Sequence, residues 1–84
     1  MHVPPENSMR AFVLVKVATG HEVEAMKALQ AIPNVGDLHF LFGEFDYILS
    51  VDSTSCEGLS RLLSQRVRRI PGVEQTVTLL EAPI

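Results

Sequence analysis

The feature that most constrains the fold is a repeated helix ending: Ile-Pro-x-Val occurs at residues 32–35 and again at residues 70–73. Proline lacks a backbone N–H and stops a helix, and the valine that follows is a strand former. Ahead of each ending stands Thr-x-x-Glu, at residues 19–22 and 54–57, the pattern of a capping box that begins a helix. The repetition predicts two strand-helix-strand halves in one chain.

Apolar residues at helical spacing fill the interval between each capping box and each ending. The first helix is predicted to run to about Ala31. Its apolar stripe consists of Val23, Met26, Leu29 and Ile32, with Ala25 and Ala28 beside them. The stripe of the second helix consists of Leu59, Leu62, Leu63, Val67 and Ile70. Arginines at 61, 66, 68 and 69 crowd toward the end of this helix, where cations complement the helix dipole.

Four strands are predicted around the two helices. Residues 11–17 form the first, which is apolar on both faces, and residues 73–81 form the last. Two apolar runs, at residues 38–42 and 47–51, flank Gly43-Glu44, a turn in which the glycine takes the positive φ of a tight hairpin. The order of elements is therefore β-α-β-β-α-β.

This order, with right-handed crossovers, predicts an α+β protein of the ferredoxin-like βαββαβ fold, a four-stranded antiparallel sheet with two helices on one face. The other face is left bare and carries residues such as Phe12 and Leu14, an apolar patch larger than soluble monomers usually expose. Of the 84 residues, 46% are hydrophobic, a high share for so small a domain. We therefore expect a dimer formed through the sheets.

Charge and composition exclude several classes of function. The net charge of −3 lacks the basic face that phosphate neutralisation needs, so no direct nucleic-acid partner is expected. A single cysteine, Cys56, excludes an internal disulfide, and the histidines have no ligand spacing, so neither a metal nor another cofactor is predicted. No apolar run reaches the ~18 residues of a membrane span and no signal peptide is visible, which predicts a cytoplasmic protein without a membrane partner.

Several of these features, in this order, resemble the effector domain of the Lrp/AsnC family of regulators, the module named RAM for regulation of amino-acid metabolism. They are the two Ile-Pro-x-Val endings, the strand that reaches Gly43-Glu44-Phe45-Asp46-Tyr47, the following Ile48-Leu49-x-Val51, and the last strand with its threonines. The resemblance covers residues 9–81. It implies a free amino acid as effector, bound between dimers, and assembly of homodimers into a larger ring, often an octamer.

Full-length members of the family begin with a helix-turn-helix that binds DNA. Here residues 1–8 precede the first strand; they contain Pro4-Pro5 and no hydrophobic period, and they are predicted to be a disordered extension of a 9–84 domain. The chain is therefore similar to the stand-alone form of the module. It is expected to act without its own DNA-binding domain, and co-assembly with full-length regulators of the family is one way for it to do so.

The resemblance also implies a set of ligand-binding positions. They are Gly43, Glu44, Phe45, Asp46, Tyr47, Thr76 and Thr78. An amino acid presents an ammonium and a carboxylate, and we assign the ammonium to Asp46. The carboxylate is assigned to the backbone N–H groups of Gly43 and Glu44 together with the threonine hydroxyls. Phe45 and Tyr47 are expected to line the side-chain pocket. No catalytic residue is assigned.

Each assignment has a structural alternative. Gly43 is required by the turn itself, threonines are ordinary strand residues, and Asp46 suits a local backbone acceptor. Phe45 and Tyr47 suit dimer packing as well as a pocket wall. A second function also stays open, a small dimeric enzyme of the monooxygenase or isomerase type on the same scaffold. Such an enzyme places a histidine or an acid in a closed apolar pocket between helices and sheet, and His39 is the candidate.

Overall fold

Strands and helices alternate in the predicted order along residues 9–82, the part of the chain that the computed structural model describes. The elements are β1 (Met9–Val17), α1 (Glu22–Gln30), β2 (Val35–Phe40), β3 (Tyr47–Ser53), α2 (Cys56–Leu62), a π-helical segment (Leu63–Val67) that extends α2, and β4 (Val73–Leu80). The strands form one antiparallel sheet in the order β2-β3-β1-β4, which confirms the ferredoxin-like fold. The predicted extension, residues 1–8, lies outside the described residues.

The central strand, β1, divides its side chains between the two faces of the sheet as predicted. Its core-facing residues are Ala11, Val13, Val15 and Val17, all buried. Phe12 and Leu14 alternate with them and are only partly buried. Cross-strand pairing places Ile48 of β3 and Val77 of β4 beside Leu14 on this second side, which we term the open face. Its apolar residues are Phe12, Leu14, Ile48, Val77 and Leu79.

The helices cover the opposite side of the sheet, and each buries one face against it. In the second helix the predicted stripe is confirmed, since Leu59, Leu63 and Val67 are buried. In α1 the prediction is wrong at Val23, whose side chain is 60% exposed. Ala25 belongs to the buried face of α1. Val23 is two positions away and therefore lies about 200° around the helix from Ala25, on the side that faces water.

Both helices begin later than the predicted capping boxes. At α1 the N-cap is His21, which makes no side-chain cap; Gly20 turns the chain with a φ of 94° and leaves Thr19 outside the first turn. The Glu22 carboxylate still accepts a backbone hydrogen bond, from the Gly20 N–H at 2.9 Å. At α2 the cap is Ser55, whose Oγ accepts from the Gly58 N–H at 2.9 Å.

Neither helix within residues 9–82 is long and apolar enough to cross a membrane.

The connection between β2 and β3 is longer than the predicted two-residue turn. β2 ends at Phe40, so residues 41–46 form a loop in which Gly43 adopts the expected positive φ, 117°. The Leu41 N–H donates to the Asp46 carbonyl at 2.9 Å and closes the base of the loop. We term residues 41–46 the β2–β3 loop.

Candidate functional site

The predicted site lies at one end of the sheet, where β1 and β2 finish and β3 and β4 begin. Two backbone hydrogen bonds hold the connections of this end together. The Ala18 N–H donates to the Gly72 carbonyl at 2.7 Å, and the Asp46 N–H donates to the Val15 carbonyl at 2.9 Å. The β2–β3 loop is thereby fixed to the last residues of β1.

Close packing at this end explains why the second Ile-Pro-x-Val ending has glycine where the first has Asn34. Gly72 has a φ of 93°, and a Cβ there would lie 2.4 Å from the Cβ of His21. No other residue type fits without moving the start of α1. Asn34 has a different role, since its Nδ2 donates to the Asp52 carbonyl at 3.1 Å. The glycine therefore lets the exit of the second helix pack against the start of the first.

Asp46 is bound to the backbone of β1. Its Oδ2 accepts from the Val17 N–H at 2.7 Å, at the point where the pairing of β1 with β4 shifts register between Lys16 and Val17. The Asp46 carboxylate thus accepts a backbone hydrogen bond at the irregular end of β1. Among residues 9–82, no hydrogen bond reaches its other oxygen, Oδ1.

Tyr47 is a core residue. Its side chain is 1% exposed, its ring meets that of Phe40 edge-on at a centroid distance of 5.5 Å, and its hydroxyl donates to the Glu22 carbonyl at the start of α1. Burial raises the pKa of the hydroxyl above its usual value of 10.0, and the Asp46 and Glu22 carboxylates add to this rise. The Tyr47 ring is therefore part of the core next to the β2–β3 loop, and within one chain almost none of its surface is accessible to a ligand.

The tip of the β2–β3 loop is apolar and exposed. Phe42 is fully exposed, Phe40 is 68% exposed, and Leu41 is 36% exposed. Gly43 and Glu44 are exposed as well, whereas Phe45 is partly buried. Among residues 9–82, the backbone N–H groups of Gly43 and Glu44 donate to no partner in the chain. Two free amide donors therefore lie beside an exposed aromatic surface.

The two threonines lie on the same sheet but apart from this loop. Val15 pairs with Tyr47 on one side and with Thr76 on the other, so Thr76 lies roughly 10 Å from the base of the loop, twice the spacing of neighbouring strands. Thr78 pairs with Val13, one step further away. The structure therefore gathers the predicted residues from 43 to 47 in one loop and separates them from the threonines within a chain.

Sequence reasoning missed a groove at the start of β4. It has a volume of about 270 Å³ and is lined by Arg68, Val73, Glu74, Gln75 and Thr76. We term it the β4 groove. The Arg68 Nε donates to the Thr76 Oγ1 at 3.4 Å. The sequence signal for this groove is the arginine cluster at the end of the second helix, which the helix dipole also explains. Its position beside β4 depends on the tight reversal at Gly72.

The histidine proposed for an enzyme is not in a pocket between helices and sheet. His39 is exposed on β2, where it pairs with Ile48 of the open face. Within residues 9–82, no group of three His, Cys, Asp or Glu residues is placed to hold a metal ion.

Comparison with known proteins places the chain in a family. The model of the Lrp/AsnC ligand binding domain matches residues 10–81. An uncharacterized HTH-type transcriptional regulator of Pyrococcus horikoshii, PH1916, is 32% identical over 73 residues, which cover 83% of this chain and 49% of the relative. The chain thus spans about half the length of the curated relatives that it matches.

Solved structures agree with the observed fold. The crystal structure of FFRP-DM1 superposes with a TM-score of 0.84 at 30% identity, covering 88% of this chain and 99% of that one. The complex of the transcriptional regulator NMB0573 of Neisseria meningitidis with L-Met has a TM-score of 0.85 at 20% identity, covering 98% of this chain and 56% of that one. The match over residues 10–81, the fold and the sequence identity together show that the chain belongs to the Lrp/AsnC ligand-binding-domain family.

Proposed function

We propose that this chain is a regulatory module that binds a free amino acid between dimers and passes the signal on through its state of assembly. The observation that carries the proposal is the match of the Lrp/AsnC ligand binding domain to residues 10–81, nearly the whole of the described fold. The relative PH1916 is named as a transcriptional regulator, and NMB0573 was crystallised with L-Met. Both names support a role in transcription regulation, and the bound L-Met of NMB0573 supports an amino-acid effector. We place this role in the cytoplasm.

The open face supports a dimer formed through the sheets. Its apolar residues lie side by side across three strands, and Leu79 on β4 is 52% exposed. A second copy packed on this face removes the patch from water, as in other sandwiches of two sheets. The exposed tip of the β2–β3 loop supports a further contact, by which dimers join into a larger homo-oligomer such as an octamer.

The separation between loop and threonines supports a ligand bound between subunits. A single carboxylate with a hydrogen bond of about 3 Å on each side bridges less than the roughly 10 Å between Tyr47 and Thr76, counted as two strand spacings. A ligand whose carboxylate contacts both the loop and the threonines therefore takes the loop from one subunit and the threonines from another. In this arrangement Oδ1 of Asp46 accepts from the ammonium, the N–H groups of Gly43 and Glu44 donate to the carboxylate, and Phe45 lines the pocket. Tyr47 holds the loop in place.

The proposal assigns no catalysis to the module. The exposed position of His39 gives no support to the enzyme alternative, which needs a closed pocket. A signal that depends on assembly can reach DNA through co-assembly with full-length Lrp/AsnC regulators.

The test is a thermal-unfolding scan of the purified chain against each common amino acid at millimolar concentration. A ligand at 100 times its dissociation constant stabilises the folded state by about 2.7 kcal/mol, which for a domain of this size raises the melting temperature by on the order of 10 °C. We expect such a rise with one amino acid or a few related ones. The proposal fails if no amino acid changes either the melting temperature or the sedimentation coefficient.

Asp46→Asn is the variant that separates binding from folding. The asparagine keeps a carbonyl oxygen for the Val17 N–H but removes the charge that the ammonium needs. We expect the variant to fold as the wild type does and to lose most of the ligand-induced rise in melting temperature. An unchanged rise excludes Asp46 from the ligand contacts.

A further inference from the structure

The β4 groove holds two opposite charges that do not pair with each other. Arg68 and Glu74 both line it, whereas the ion pair found among residues 9–82 joins Arg10 to Asp52, at 3.2 Å. Arg68 is directed instead to Thr76, through the hydrogen bond from its Nε. The groove therefore offers a cation and an anion to a molecule that enters it.

The contact with Thr76 leaves the outer edge of the arginine available. A guanidinium has five N–H donors, and those on the two terminal nitrogens form a planar fork that matches a carboxylate. The Thr76 hydroxyl accepts from Nε and keeps its own proton to donate. Arg68 and Thr76 together thus form a carboxylate-binding pair in which one side chain orients the other.

The size and lining of the groove fit a small polar metabolite. Its volume of about 270 Å³ is below the ~300–1,000 Å³ of pockets for drug-sized ligands. Four of its five lining residues are polar, and Val73 is the exception. Because β4 is the last strand of the sheet, the groove lies at an edge that a neighbouring subunit can close.

We infer that the β4 groove binds the charged backbone of an α-amino acid, with Arg68 and Thr76 on the carboxylate and Glu74 on the ammonium. This inference rests on the proposed function and deepens it, because it adds Arg68 and Glu74 to the effector contacts on the side of the site that carries Thr76. The zwitterion is what the groove selects: a plain carboxylic acid leaves Glu74 without a partner, and a plain amine leaves Arg68 without one.

The first test compares Arg68→Gln with Arg61→Gln by isothermal titration with the amino acid that raises the melting temperature of the wild type. Arg61 is exposed in α2 and does not line the groove, so it is a matched control. We expect Arg68→Gln to weaken binding roughly 10- to 100-fold, as the loss of charged hydrogen bonds does, and Arg61→Gln to leave it unchanged. Glu74→Gln is compared in the same way with Glu81→Gln, since Glu81 directly follows the other end of β4 and does not line the groove.

The second test asks what each residue recognises. The decarboxylated amine and the deaminated acid of the same amino acid are titrated against the wild type and both variants. In the wild type each analogue binds less tightly than the amino acid. In Arg68→Gln the gap between amino acid and amine shrinks, and in Glu74→Gln the gap between amino acid and acid shrinks. A side chain that only stabilised the fold would lower the affinity for all three ligands equally.

The outcomes separate the inference from the proposed function. If Asp46→Asn loses binding while Arg68→Gln and Glu74→Gln bind as their controls do, the loop holds the ligand without the groove and the inference is overturned. If no amino acid binds the wild type, both are overturned. A matching melting temperature of the unliganded variants and controls excludes misfolding as the cause of weaker binding.

Discussion

Leu49 and Ile48 are neighbours on β3, yet they lie in opposite environments. Leu49 is fully buried beneath the helices, whereas Ile48 pairs with Leu14 on the open face and is only partly buried. On the covered side, two helices of the same chain complete the second layer that a sheet needs. On the open face no element within residues 9–82 does so. Folding thus completes one face of this sheet and leaves the other for association.

The open face has the composition of an interface rather than that of a solvated surface. Its apolar residues occupy the middle, while charged residues lie at both ends of β1, with Arg10 paired to Asp52 at one end and Lys16 at the other. An apolar centre with a charged rim is the usual anatomy of a protein interface.

The largest effect is expected from Leu14→Glu, at the centre of the open face. In the proposed dimer this change buries an unpaired carboxylate in each subunit. The desolvation of each buried carboxylate makes the free energy of association less favourable by several kcal/mol. We expect the dimer to dissociate while the monomer stays folded, because the side chain faces water in the single chain. Analytical ultracentrifugation and circular dichroism measure the two properties separately.

Lys16→Glu is the matched control for this variant. It introduces the same residue on the same strand and the same face, but at the charged rim. We expect the Lys16 variant to remain associated. If Leu14→Glu associates as strongly as Lys16→Glu, the open face is not the dimer interface, and another surface must cover the apolar residues.

The next effect is expected from Leu49→Ala, made in the monomeric Leu14→Glu background so that association does not contribute. Removing a fully buried leucine from a packed core costs about 2–5 kcal/mol of unfolding free energy. Ile48→Ala in the same background removes a similar volume from the open face and is expected to cost about 1 kcal/mol or less. Equal losses in urea titrations contradict the view that only one face is completed by folding.

The difference between the two faces of the sheet was predictable because it depends on residue spacing within single strands and helices. The alternation of β1 and the stripe of Leu59, Leu63 and Val67 depend on the repeat of strand and helix alone, and both were confirmed. The exposure of Val23 was not predicted, because the spacing of the apolar residues did not show that the buried face of α1 is centred on Ala25 and Leu29. The start of α1 was also not predicted, since Gly20 and His21 set it through backbone geometry that the pattern Thr-x-x-Glu does not reveal.

The details of the candidate site depend on contacts between residues far apart in the sequence. Asp46 binds the N–H of Val17, 29 positions away, and the hydroxyl of Tyr47 reaches the carbonyl of Glu22, 25 positions away. The resemblance implied these positions but not the bonds that they make. The β4 groove was missed for a different reason: Arg68 and Thr76 are only 8 positions apart, but they meet only because the chain reverses direction between the second helix and β4.

Tyr47→Phe tests the covered face with a smaller change. The variant keeps the ring against Phe40 and loses only the hydroxyl that donates to Glu22, which we expect to cost about 0.5–1.5 kcal/mol of unfolding free energy. Ser50→Ala is the comparison on the open face, where the Ser50 Oγ accepts from the Asp37 N–H at 2.8 Å at an exposed position. In the monomeric background water can replace that bond, and the cost is expected to be within about 0.5 kcal/mol of zero.

The smallest effect is the pH dependence that the same hydroxyl gives to stability. The folded-state pKa of Tyr47 is raised above 10.0, the value that applies to the unfolded chain. Below pH 10 both states keep the proton, so this group adds no pH dependence there. Above pH 10 the unfolded state releases its proton first, and stability falls as the pH rises through the folded-state pKa. Lysines titrate in the same range, so the readout is the difference between wild type and Tyr47→Phe in urea titrations from about pH 8 to about pH 11. We expect the two curves to converge at high pH; curves that stay parallel would show that folding does not raise the pKa of the Tyr47 hydroxyl.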